Sequence, residues 1–219
     1  SLNASSPASM TYSEAHQRLY FGYSSGALTF IDLQGAVAEQ ALANVGNGIA
    51  AVIASGNYLM LRDNAYNATH HIYSAAGALL DSKSLSGKSR VYSWDPVNER
   101  VYFFRDGSSP NDLHYVGVNQ TDGTFGPAAD TPYHSDYTIT PPLEVSKDGD
   151  KILLGSGDIY NADDLVWVRN LGTSINHAQW QQGGELLTLT DMEGKTQLHR
   201  YSSNLSLLDG VEFNGTPLA

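Results

Sequence analysis

The feature that most constrains the fold is a unit of β-forming runs that recurs along the chain. Its clearest copy, Arg90–Asn119, contains an alternating run at Val91–Trp94, a turn at Asp95–Glu99, a second run at Arg100–Arg105 and a third at Leu113–Val118. The Asp-Pro pair in the turn favours chain reversal, so the first two runs are predicted to form a hairpin. The unit therefore indicates antiparallel β-structure with a polar loop between its second and third strands.

Five copies of this unit follow one another. Equivalent positions in the second run are separated by 39, 43, 50 and 34 residues when the copies are aligned on Tyr20, Leu59, Tyr102, Ile152 and Leu186. A period near 40 with four strands per unit is typical of propeller blades. We predict one all-β domain over residues 1–219, a five-bladed β-propeller of four-stranded antiparallel blades at approximately 9–45, 48–85, 89–129, 142–170 and 176–213.

A helical fold and a two-sheet sandwich fit the sequence less well than a propeller does. A helical fold is disfavoured because Gly or Pro interrupts every candidate window and no long window keeps a period of 3.6. A two-sheet sandwich would not predict the same order of turn, run, polar loop and run five times. Part of a six- or seven-bladed propeller stays open as an alternative, because the first copy starts at an inner strand and the fifth ends at an outer one.

Two phrases carry a family resemblance. LYFGYSSGALTFIDLQG, residues 19–35, and GSGDIYNADDLVWVRNLG, residues 155–172, resemble repeats of the YVTN type of β-propeller. In that type, a strand ending in a small residue leads through Gly to a further strand and an Asp or Gly turn. The resemblance covers most of the chain and implies the propeller fold, and it assigns no ligand and no catalytic residue.

Composition limits the partners and the compartment. The 12 Lys and Arg against 23 Asp and Glu give a formal charge of −11, which disfavours nucleic acid, although an acidic surface also serves solubility alone. Cysteine is absent, so disulfides and thiolate chemistry are excluded. No apolar run approaches the roughly 20 residues of a membrane helix. We expect an exported bacterial protein, extracellular, at the cell surface or periplasmic.

The ends of the second strands carry a recurring polar pair. It reads Arg62-Asp63 in the second copy, Arg105-Asp106 in the third and Thr190-Asp191 in the fifth. A radial arrangement places these pairs on one rim, where the planar guanidinium forks of Arg62 and Arg105 suit carboxylates. The alternative is that each Asp bonds the backbone of its own loop as a turn former.

The irregular segment YHSDY adds a second set of candidates to this rim. Tyr133, His134, Asp136 and Tyr137 combine two aromatic rings, a titratable group and a carboxylate between an outer strand and the next inner strand. Aromatic faces with polar edges suit sugars or peptide side chains. A solvated loop tip, or a plug over the central channel, is the alternative.

Three histidines occupy one position in the third strand of different copies: His71, His114 and His199. Separate blades hold them apart, so no metal site and no cofactor is predicted from this set. His70 and His71 are neighbours on a strand and should point to opposite faces, which defeats a two-ligand clip.

These observations favour a non-enzymatic binding or scaffold module that recognises a protein or glycan through the rim, with its oligomeric state left open. One alternative is a glycan-active hydrolase or lyase, which predicts a carboxyl with a strongly raised pKa near the central channel. Its candidate carboxylates are Asp63, Asp106, Asp136 and Asp191. A spacer without a ligand of its own is the third hypothesis.

Overall fold

A computed structural model describes residues 6–35, 38–85, 89–105 and 111–217, and its strands form five four-stranded antiparallel sheets. Within each sheet every strand pairs with the next one along the chain. Across these residues no helix is long and apolar enough to cross a membrane.

The sheets are called blades 1 to 5, each running from an inner to an outer strand. Blade 1 contains β1 (Ser9–Ser13), β2 (Arg18–Gly22), β3 (Ala27–Asp32) and β4 (Glu39–Asn44). Blade 2 contains β5 (Ile49–Ser55), β6 (Tyr58–Asp63), β7 (Thr69–Ser74) and β8 (Leu79–Ser84). Blade 3 contains β9 (Ser89–Asp95), β10 (Arg100–Arg105), β11 (Leu113–Val118) and β12 (Phe125–Asp130).

Blade 4 contains β13 (Leu143–Val145), β14 (Lys151–Leu154), β15 (Asp158–Asn161) and β16 (Trp167–Asn170). Blade 5 contains β17 (His177–Trp180), β18 (Leu186–Asp191), β19 (Lys195–Tyr201) and β20 (Leu207–Asn214). The inner strand of each blade contacts the inner strand of the next, in the order β1, β5, β9, β13 and β17. The predicted fold class, an all-β propeller of five blades, is confirmed.

The apolar second strands of the central blades hold the propeller together because each one packs against two neighbouring blades. Along β10, Val101 and Phe103 pack against blade 2, whereas Tyr102 and Phe104 pack against blade 4. Successive side chains of a strand point to opposite faces, so a strand buried on both faces reads as a nearly continuous apolar run. This explains why VYFF stands at 101–104 and why no polar alternation marks that strand.

Blades 1 and 5 each pack against one neighbour through these clusters. Blade 1 packs on blade 2, and blade 5 packs on blade 4. On the opposite faces, Met10 is 60% and Tyr12 46% exposed in blade 1, and Val211 is 54% and Phe213 50% exposed in blade 5. The alternative of a larger ring therefore stays a prediction.

Hydrogen exchange tests how the end blades are held. We expect amides of β2 and β18 to exchange faster than amides of β10, because an end repeat has one packed neighbour where a central repeat has two. The measurement is native-state exchange followed by NMR, corrected for the intrinsic rate of each amide. Equal protection in all five second strands would show that blades 1 and 5 pack against each other.

Candidate binding site at the seam between blades 2 and 3

The two predicted arginines meet at the boundary between blades 2 and 3, here called the seam. Arg62 lies on β6 two residues after Met60, and Met60 packs against the core of blade 3. Arg105 lies on β10 two residues after Phe103, which packs against blade 2. Because alternate residues share a face, both arginines point into the seam from opposite sides at the same rim.

An open cleft of about 380 Å³ lies beside Arg62, where the inner strands of blades 1, 2 and 3 come together. Among the described residues, its lining includes Ser9, Thr11, Ser89 and Tyr92 and no Asp or Glu. The Nε atom of Arg62 is buried and has no hydrogen-bond partner among the described residues. The cleft is therefore a cationic pocket in an acidic protein.

His70 forms the floor of the seam. Its ring is fully buried, stacks on Phe103 with ring centroids 5.7 Å apart, and places Nε2 2.9 Å from the hydroxyl of Tyr92. Burial, together with the nearby Arg62 cation, lowers the pKa of His70 to about 3. The imidazole is therefore neutral at pH 7, and burial also raises the pKa of Tyr92.

Asp63 was predicted to face a ligand, and the structure instead buries it in its own loop. Its carboxylate accepts hydrogen bonds from the N–H groups of Thr69 at 2.9 Å and Ala65 at 3.2 Å and from Asn47 Nδ2 at 3.3 Å. Burial acts to raise the pKa of Asp63, but these hydrogen bonds and the nearby His71 outweigh it, so the pKa lies below its ordinary value. Asp63 is a turn former, and we leave it out of the proposed surface.

The aromatic rings of the YHSDY segment pack against the protein. Tyr137 stacks on Trp167 with centroids 5.1 Å apart and planes 10° apart, and Tyr133 meets Tyr137 edge-on at 5.0 Å. Both tyrosines are half-buried against the core between blades 3 and 4. Each ring is therefore partly covered by the protein, and only part of its surface is open to a ligand.

The polar residues of the same segment lie at the rim of blade 3. Ser135 Oγ accepts a hydrogen bond from the N–H of Asn111 at 3.1 Å, and His134 Nδ1 lies 3.4 Å from Asp112 Oδ2. The His134 side chain is 68% exposed, and Asp136 is exposed. The segment therefore contacts Asn111 and Asp112, the two residues that precede β11.

Two predicted carboxylates do not join the seam. Asp106 lies outside the described residues. Asp191 is exposed at the end of β18, where its N–H donates to Asn176 Oδ1 at 2.7 Å. It belongs to blade 5, whose core contacts are with blade 4.

A group that the sequence prediction missed could hold a metal ion. Asp112, His114 and Asp130 place one ligand atom each within 4.8 Å of one another. Asp112 and His114 are two residues apart and share a face of blade 3, while Asp130 is the cross-strand partner of His114 on β12. The Asp-Leu-His spacing was a visible signal, but the third ligand depends on the pairing of β12.

The enzyme alternative needs a carboxyl with a raised pKa and a second one across a pocket. In the described part of the chain, burial raises the pKa of Glu144, although Lys147 and His177 act in the opposite direction. Glu144 lines a cleft of about 460 Å³ at the inner edge of blades 4 and 5, and no other described carboxylate lines that cleft. None of the predicted candidates Asp63, Asp136 and Asp191 lines that cleft.

The fold defines the class of protein, a β-propeller, and the pocket at Arg62 lies where the inner strands of three of its blades meet. No protein-family model and no curated protein matches this chain. Three solved structures are similar over nearly all of it: a chain in a mitotic checkpoint complex, with 15% identity and a TM-score of 0.65; the Dos1 propeller, with 10% and 0.69; and a protein from Lactobacillus plantarum, with 15% and 0.69.

The matches cover 92%, 97% and 96% of this chain and 64%, 63% and 72% of those chains, respectively. This chain therefore spans slightly less than two thirds of the first two neighbours. Identities this low show the propeller fold and leave the YVTN repeat type unconfirmed.

Proposed function

We propose that this chain is a non-enzymatic binding module that recognises a carboxylate of a protein partner through the pocket at Arg62. The observation that carries the proposal is the position of Arg62, which lines an open cleft while its buried Nε has no hydrogen-bond partner among the described residues. One of the similar structures is a chain within a multi-protein complex, which supports a protein partner by analogy of fold alone.

The energetics favour an anionic group at this position. A buried donor without an acceptor costs on the order of 1 to 3 kcal/mol, which a ligand can recover by supplying the acceptor. A guanidinium binds a carboxylate through two parallel hydrogen bonds, so orientation is fixed as well as charge. Ser9 and Thr11 of β1 line the same cleft and can contact the rest of the ligand.

The overall charge narrows the kind of anion. At a formal charge of −11 the protein repels polyanions over a distance of several ångströms, whereas Arg62 lines the pocket and no acidic residue does in the part of the chain that the structure describes. A single carboxylate on an otherwise neutral or basic partner fits both the cationic pocket and the acidic surface around it. Nucleic acid, as a polyanion, does not fit that surface.

The pocket can be tested with small carboxylates that imitate the two partner classes. We expect N-acetylglutamate, as a protein-type probe, to shift the Nε–H NMR resonance of Arg62 and the amides of Ser89 and Tyr92. Arg62→Gln should weaken this binding at least about tenfold, because the charge-assisted pair is lost. Arg200→Gln is the matched control, since Arg200 is engaged with Asp209 on blade 5.

Several outcomes of that titration are informative. Binding that survives Arg62→Gln, or shifts confined to other blades, would contradict the proposed site. A glucuronate probe that binds more tightly than N-acetylglutamate would assign the pocket to a glycan in place of a protein. Turnover of a glycan substrate that is lost in Asp136→Asn would support the enzyme alternative.

We further propose that the repeats are of the YVTN type and that the module belongs to a larger exported surface protein. The phrases at 19–35 and 155–172 support the first part, and the absence of cysteine together with the acidic composition fits the second. Immunodetection on fractionated cells tests the location, and a purely cytosolic signal would contradict export.

A further inference from the structure

We propose that Asp112, His114 and Asp130 bind a zinc ion at the outer side of the seam. This inference does not depend on the carboxylate pocket at Arg62, because none of the three residues lines that cleft. It concerns a mixed set of two carboxylates and one imidazole, which suits zinc better than calcium or magnesium.

The fold brings the three ligands together through two neighbouring strands. Asp112 and His114 lie two residues apart and point to one face, and the β11–β12 register sets Asp130 directly opposite His114. The three ligand atoms lie within 4.8 Å of one another. A shift of about 1 Å in side-chain rotamers brings such atoms to the separations of a tetrahedral zinc site.

The burial of Asp112 and of the His114 Nε2 atom favours a bound cation. The Asp112 side chain is only 1% exposed, yet its hydrogen bonds from His134 Nδ1 and from the N–H of Ser135 are both long, at 3.4 Å. Such long hydrogen bonds compensate poorly for the burial of a carboxylate. The Nε2 atom of His114 is buried and has no partner among the described residues. A bound cation would satisfy both groups.

Packing holds the imidazole of His114 in place. Its ring stacks on Phe103 with ring centroids 5.5 Å apart and planes 12° apart, which fixes the direction of its nitrogen atoms.

Two neighbours modify the site. His134 Nδ1 lies 3.4 Å from Asp112 Oδ2, so His134 is within reach as a fourth ligand, and it would tie the YHSDY segment to blade 3. Arg105 lines the adjacent cleft with His114 and Asp130 and contributes a like charge. Its cation should weaken zinc binding, and its removal should strengthen it.

The test is a zinc titration of the tag-free protein after removal of metal with EDTA, followed by competition with a chromophoric chelator at pH 7.5. We expect one zinc per chain, at least tenfold weaker binding in His114→Gln and in Asp112→Asn, and several-fold tighter binding in Arg105→Gln. His199→Gln is the matched control because His199 occupies the equivalent third-strand position in blade 5. It should bind as the unaltered protein does.

Folding and specificity are controlled in the same experiment. Should Asp112→Asn fail to fold, the more exposed Asp130→Asn and His114→Gln decide the question, since thermal melts of these variants without metal establish that they are folded. Unchanged zinc affinity in folded His114→Gln would overturn the proposal. So would the absence of binding at 100-fold excess zinc over protein, or tighter binding of calcium than of zinc.

Discussion

Acidification from pH 6.5 to pH 3 is expected to lower the free energy of unfolding by on the order of 4 kcal/mol through His70 alone. The pKa of His70 is about 3 in the folded protein, against 6.5 for an exposed imidazole. Above pH 6.5 the ring is neutral in both states and contributes no pH dependence. Below pH 6.5 His70 is protonated in the unfolded chain but stays neutral in the folded protein. The free energy of unfolding therefore falls by about 1.4 kcal/mol per pH unit until the pKa of the folded state is reached.

The environment of His70 explains why its pKa is low in the folded state. The ring is wholly buried between blades 2 and 3, and the Arg62 cation adds to the cost of a charge there, while Asp63 offsets only part of it. Protonation would therefore place a second cation in the seam. Loss of packing between these two blades is the expected first consequence at low pH.

Urea unfolding at a series of pH values measures this effect. His70→Phe keeps a ring against Phe103 and removes the titrating group, so the slope of stability between pH 6 and pH 4 should become shallower by about 1.4 kcal/mol per unit. Carboxylates such as Asp63 contribute to the remaining slope in both proteins. Parallel curves for the two proteins would show that His70 is protonated in the folded state.

Sequence periodicity was sufficient to locate the strands. Arg100–Arg105 and Leu113–Val118 were predicted with the bounds that the structure has. These strands are read easily because β-branched and aromatic residues fill them and turn formers delimit them. Outer strands were placed less accurately, since exposure on one side weakens their pattern.

The composition of the seam could be predicted only in part. The sequence shows that Arg62 and Arg105 occupy equivalent positions in two copies of the repeat. It does not show that both lie in the same seam, because that depends on which face of each strand packs against which blade. Asp63 illustrates the limit, because strict alternation already put it on the face opposite Arg62, where it bonds its own loop. The cluster of Asp112, His114 and Asp130 was missed because the predicted third blade ended at residue 129, one residue before Asp130.

The loop that carries YHSDY leads into blade 4, and one glycine fixes how it enters. The N–H of Gly155 donates to the carbonyl oxygens of Thr140 and Pro142, both at 2.8 Å, and its own carbonyl accepts from the N–H of Ile175. Gly155 thus joins three stretches of backbone directly after β14. Its contacts are with main-chain atoms, which cannot rotate away as a side chain can.

Gly155→Ala is expected to be the most damaging single substitution of a glycine outside the positive-φ turns. A Cβ atom there would lie 1.8 Å from the carbonyl oxygen of Pro141 and 2.3 Å from its carbonyl carbon, so the backbone at 140–142 must move. That movement would displace the buried Leu143 and cost on the order of 3 kcal/mol or more.

Gly46→Ala is the matched control, because a Cβ at Gly46 meets no atom within 4 Å. It should change stability by no more than about 0.5 kcal/mol, or raise it slightly by restricting the unfolded chain. Urea midpoints of the two variants make the comparison, and equal midpoints would show that the approach of Pro141 to Gly155 is not needed for blade 4 to fold.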